Sequence, residues 1–101
     1  MEHSIPEVRL TIPHELRSLC GGGASSRRGE ICIRAQDVRM LLAELARRHP
    51  QLHVRVCDER GEPRSHINVF VNDDHVRGRD GLDTRLAAGD VVSILPAVSG
   101  G

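Results

Sequence analysis

The chain contains no Lys, no Trp and no Tyr, and Phe70 is its one aromatic residue. Its core must therefore be packed from aliphatic side chains. No apolar run approaches the ~18 residues that a membrane-spanning helix needs. Three cysteines, Cys20, Cys32 and Cys57, form no CxxC pair. Their odd number and wide spacing argue against a disulfide framework and against a zinc knuckle. No metal site is expected. The opening residues, Met1-Glu2-His3-Ser4, lack a basic-then-apolar leader. That and the free thiols make the cytoplasm the expected location.

Charge of one sign is also missing. Fourteen Arg balance fourteen acidic residues, so the formal net charge is zero. An electrostatic binder of nucleic acid or of membrane would carry an excess. The pairs Arg27–Arg28 and Arg47–Arg48 read as solvated surface. The absence of Lys fits a genome that prefers Arg codons. It also leaves the chain without a side-chain amine that could capture an activated acyl group.

Catalytic signatures are absent too. There is no Ser-His-Asp order, no HExxH and no GxSxG. The glycine triplet 21–23 lacks the GxxxxGK[ST] context of a phosphate loop. His66 and His75 read as surface residues, and His49 as a helix-end residue favoured by the dipole. An autonomous enzyme is not expected.

What remains is one small domain of 101 residues, 39% hydrophobic and 28% charged. Glu7 to Ile12 alternates polar and apolar, placing Val8, Leu10 and Ile12 on one face of a strand. Pro13 ends it. Residues 13–29 read as a flexible loop. Glu30 to Arg34 is a second strand, antiparallel to the first. Val38, Leu41, Leu42 and Leu45 form a helical stripe within 36–49. Ala35 would be a poor cap for that helix, and Pro50 should stop it. Leu52 to Cys57 reads as an extended segment and residues 58–63 as a turn. Ile67 to Val71 reads as a central strand, followed by a turn at Asn72-Asp73-Asp74. Leu82 and Leu86 should plug the base of the core. Ala88-Gly89-Asp90 turns into the last strand, Val91 to Leu95. The order β-β-α-β-β-β requires the helix to cover one face of a mixed sheet, an α+β roll.

The end of the chain then becomes the focus. Residues 1–95 form the domain and 96–101 an extended tail. Pro96 fixes its own φ and biases Leu95 toward extended backbone. Gly100 and Gly101 carry no side chains, so the terminus could thread a narrow cleft. A carboxylate is a poor acyl donor until activated, and a partner with ATP could form an acyl-adenylate on Gly101. Leu95, Pro96, Val98, Ser99, Gly100 and Arg85 are the candidate partner contacts, together with the exposed face of the sheet.

The stretch from Ile67 to Gly101 resembles the C-terminal half of the bacterial ubiquitin-like sulfur carriers. The Val71-Asn72 strand end, Leu86 with Gly89-Asp90, the apolar last strand, Pro96 and Gly100-Gly101 carry the likeness. That family includes the molybdopterin-synthase small subunit, the thiamine-pathway carrier and the cysteine-biosynthesis carrier. The likeness implies a β-grasp fold. It also implies adenylation of the terminal glycine by a ubiquitin-activating-like enzyme, and a thiocarboxylate at Gly101. The long loop after Pro13 and the ILPAVSGG ending look nearest to the cysteine-biosynthesis type. Its partners would then include a PLP-dependent cysteine synthase and a zinc metallopeptidase, with no cofactor bound to the carrier. Two other functions stay open at this point. One is the small subunit of molybdopterin synthase; the other is a non-catalytic ubiquitin-like binding module.

Overall fold

The computed structural model describes residues 5–16 and 29–97. The elements run β1 (Glu7–Thr11), β2 (Glu30–Arg34), α1 (Val38–Arg48), α2 (Pro50–Val56), β3 (Ile67–Val71), β4 (Asp74–His75) and β5 (Val91–Pro96). Two short 3-10 turns, Val76–Gly78 and Gly81–Asp83, lie between β4 and β5.

The five strands form one mixed sheet in the order β2-β1-β5-β3-β4. β1 and β2 are antiparallel, with Leu10 opposite Ile31. β1 and β5 are parallel, with Leu10 opposite Val92. The chain must cross over between those two, and α1 makes that crossover and covers the sheet. The centre of the sheet is therefore β5, whereas the sequence pattern points to Ile67–Val71. β3 reads as central because Ile67, Val69 and Val71 are all buried, but it lies one strand further out.

Alternation decides which face is buried. Val8, Leu10, Ile12, Ile31, Ile33, Ile67, Val69, Val71, Val92 and Ile94 turn inward. The stripe Val38, Leu41, Leu42 and Leu45 of α1 is buried against them, as its spacing predicts. Leu86 is buried and Leu82 packs against the core from its rim.

The helical region differs from the sequence-based expectation in two ways. The cap of α1 is Asp37, one residue before the first helical position. Its extended backbone lets the carboxylate accept the Met40 amide at 2.8 Å. Ala35 is fully buried instead. The second difference is larger: Leu52–Cys57 is not extended, because Pro50–Val56 is helical. Pro50 ends α1 and also opens α2, where a first-turn residue needs no N–H. Leu52, Val54 and Val56 give an apparent two-residue period, but the true pair is Leu52 and Val56 at i and i+4. Both are buried, while Val54 is 56% exposed.

The last strand also runs further than expected. Pro96 pairs with Ile67, and the Ala97 amide donates to the His66 carbonyl at 2.6 Å. Proline fits there because residues 95 and 97, not 96, hold the hydrogen-bonded positions against β3. The element order is thus β-β-α-α-β-β-β, and the short β4, not residues 52–57, brings the strands to five.

Candidate functional site

β5 is anchored from below by Val92 and Ile94, both buried. Its start is fixed by a polar knot. The Asn72 side chain accepts the Val91 amide at 3.1 Å and donates to Asp90 at 3.2 Å. The other Asp90 oxygen accepts the Ala87 amide at 2.9 Å. Asn72 holds φ +56°, a left-handed value that asparagine tolerates better than most residues. Gly89, with φ +88°, completes the turn, where a side chain would be strained. The Val71-Asn72 strand end and the Gly89-Asp90 turn, far apart in sequence, are therefore one construction.

At the opposite end of β5 the backbone is held as far as Ala97. Leu95 is 46% exposed, and Pro96 and Ala97 are exposed beside it. Val98, Ser99, Gly100 and Gly101 lie outside the described residues, as does most of the expected loop at 13–29. Of the candidate contact residues, the structure brings together Leu95 and Pro96. Arg85 lies elsewhere: it bridges Asp37 at the start of α1, on the side where β5 begins.

The sheet's outer face carries residues that the sequence reading did not assign to the site. Thr11, Ser93, Phe70 and His75 form one row across four strands. Asn68 and Leu95 form the beginning of the next row. Phe70 is half-buried there, not in the core, and meets His75 edge-to-face at 5.0 Å. The His75 ring is fixed twice: Nδ1 accepts the Arg77 amide at 3.0 Å, and Nε2 lies 3.1 Å from the Asn68 side-chain oxygen Oδ1. With Nδ1 accepting, Nε2 carries the proton and donates to Asn68. The signal was in the strand phase, since Phe70 alternates with Ile67, Val69 and Val71 and must point away from them.

The described thiols and histidines do not assemble a reactive centre. Burial and the neighbouring Asp58 charge push the Cys57 thiol up to about 11. Among the described residues no three His, Cys, Asp or Glu side chains converge as a metal-binding group. No helix among them is long and apolar enough to cross a membrane.

This combination is a central last strand delivering the chain at one end of a patterned sheet face, and it has known counterparts. Residues 27–101 match the model of the ThiS family. The chain belongs to that family. It is 33% identical over 96 residues to the sulfur carrier protein CysO of Mycobacterium tuberculosis H37Rv, covering 93% of this chain and 98% of that one. A chain of the Amycolatopsis orientalis BexX/CysO complex superposes with a TM-score of 0.77 at 33% identity, covering 93% of this chain and 99% of that chain. Small archaeal modifier protein 1 of Methanosarcina acetivorans gives a TM-score of 0.77 at 29% identity, covering 99% and 100%. The fold is the ubiquitin-like β-grasp. This member of the ThiS family is a small carrier protein similar to CysO.

Proposed function

We propose that this ThiS-family carrier works through its terminal carboxylate. A partner adenylates Gly101: a carboxylate oxygen attacks the α-phosphorus of ATP and pyrophosphate leaves. Hydrosulfide then attacks the acyl carbon, a C–S bond forms, the C–O bond to phosphate breaks, AMP departs and the S–H proton is lost to water. The resulting thiocarboxylate donates its sulfur to a biosynthetic enzyme that makes cysteine or a sulfur-containing metabolite. A PLP-dependent acceptor and a zinc metallopeptidase that frees the product fit the cysteine case. The setting proposed is the cytoplasm, where thiols stay reduced.

The observation that carries this reading is the placement of β5. The middle strand of a packed sheet leads straight to Ala97, four residues before the end of the chain. Activating such an end needs a partner that grips the body while it engages the terminus. Leu95 and Phe70, on the outer face beside that exit, offer the apolar grip. The BexX/CysO complex shows a CysO protein assembled with another chain, and the same outer face is proposed as the contact here.

The test is intact mass after incubation with a candidate activating enzyme, ATP and sulfide. The expected gain is the replacement of one oxygen by sulfur, located on the C-terminal peptide. Deleting Gly101 should abolish the gain and leave the fold intact. A binding module would keep its partner and its function after the same deletion, which would overturn the proposal.

A further inference from the structure

β2 ends the sheet, and no described strand lies beyond it. The hydrogen-bond phase shows which of its amides are spent. Gly29 accepts from Ile12 and Ala35 donates to Pro6, so residues 29, 31, 33 and 35 face β1. The N–H and C=O groups of Glu30, Cys32 and Arg34 therefore point outward along the open edge. Their side chains lie on the outer face, half-buried at Glu30 and exposed at Cys32 and Arg34. Among the described residues, Arg48 at the end of α1 reaches this edge and donates to the Cys32 carbonyl at 3.0 Å.

The edge is complementary to itself. Laid antiparallel to a copy and centred on Cys32, it sets each Glu30 opposite the other copy's Arg34. Cys32 meets its own counterpart on the two-fold axis. Every outward amide of the three residues then finds a partner. Other registers lose this match: centring on Ile31 or Ile33 sets Cys32 opposite Glu30 or Arg34, centring on Glu30 opposes two carboxylates, and centring on Arg34 opposes two guanidinium groups. Charge thus selects one register. We propose that two copies of this chain pair through their β2 edges, centred on Cys32, and that Arg48 competes with the pairing for the Cys32 carbonyl. The joined sheet leaves the Leu95–Ala97 exit of each copy clear of the seam, because β5 lies two strands, ~10 Å, in from β2. The pairing is independent of the sulfur-carrier reading.

The experiment uses the full chain with Cys20→Ser and a short bis-maleimide. Opposed Cys32 residues would have Cα atoms ~5.5 Å apart, within the linker's reach. A covalent dimer should form, increase with protein concentration and map to Cys32–Cys32. Glu30→Arg or Arg34→Glu should each lower its yield about tenfold, since each turns two unlike pairs into like ones. The double exchange Glu30→Arg/Arg34→Glu should restore it, and Arg48→Ala should raise it. Without linker, dilution should shift the amide resonances of Glu30, Cys32 and Arg34. Equal yields in all variants, or yields that ignore concentration, would overturn the proposal. So would edge amides that respond only to an added partner protein, because the strand would then belong to that partner.

Discussion

Asn72 and Asp90 clasp the start of the last strand, with Asn72 Nδ2 donating to Asp90 Oδ1 at 3.2 Å. They are 18 residues apart in sequence, and each also holds a backbone amide, Val91 and Ala87 respectively. The clasp sets where β5 begins, and the sheet then carries that register to Pro96. A change here should act on the fold and reach the tail only through it.

Asn72→Ala removes two side-chain hydrogen bonds and leaves a β-carbon residue at φ +56°. The expected loss is about 2 kcal/mol, from strain and lost bonds together. Asn72→Gly relieves the strain and should lose about 1 kcal/mol. Urea denaturation of both variants checks the order, and equal stability of Ala and wild type would show that the clasp holds nothing.

The two helices offer a sharper contrast. Leu45 is fully buried, so Leu45→Ala should cost ~2–5 kcal/mol. Val54→Ala should change stability by less than ~0.5 kcal/mol, because Val54 projects from the outer side of α2. A strand over residues 52–57 with Val54 and Val56 turned inward would make Val54→Ala costly as well. Thermal unfolding of the pair therefore tests the helix directly.

That case shows where the sequence was readable. The α1 stripe, both strands of the first hairpin, Ile67–Val71 and the apolar last strand fold as their patterns predict. Residues 52–57 do not. Leu52, Val54 and Val56 satisfy a two-residue period by accident, and seven residues do not contain enough turns to reveal a helical one. Sheet order was not written locally either, since the parallel pairing of β1 with β5 joins the two ends of the domain. Near the exit, the position of Leu95 and Pro96 was legible because they precede the terminus in sequence. The row that sets Phe70 and His75 beside β5 was not, because it arises from strand pairing in space.

Acid should weaken the fold through two histidines at the junction of α1 and α2. Burial lowers the pKa of His49, with help from the Arg48 charge, and burial lowers that of His53. Both are therefore more easily protonated when unfolded. Their contribution is fully present above the ordinary value of 6.5 and is lost as pH falls through the depressed folded values. Stability should drop between neutral pH and about pH 5, and His49→Asn/His53→Gln should flatten that slope. An unchanged slope in the double variant would assign the acid sensitivity to other groups.

Thiol labelling should separate the two described cysteines. Cys32 is exposed on the outer face, whereas Cys57 is buried with its pKa pushed up to about 11. In a Cys20→Ser background at pH 8, maleimide should modify Cys32 promptly and reach Cys57 only after denaturant is added. Peptide mapping reads the outcome. Rapid native labelling of Cys57 would mean that the 57–63 bridge opens readily.

The decisive site prediction concerns Leu95. Its side chain is 46% exposed on the most central strand, next to the exit, and nothing in the fold requires it to be apolar. Leu95→Arg should therefore leave the unfolding free energy within ~0.5 kcal/mol of wild type. A partner that grips this face while it engages Gly101 would lose an apolar anchor and have to bury a charge. The rate of sulfur loading, followed by intact mass at limiting activating enzyme, should fall at least tenfold, about 1.4 kcal/mol. Val54→Arg, on α2 and not on the sheet's outer face, should load normally. If both variants load like wild type, the partner recognises the tail alone and the outer face has no part in the transfer.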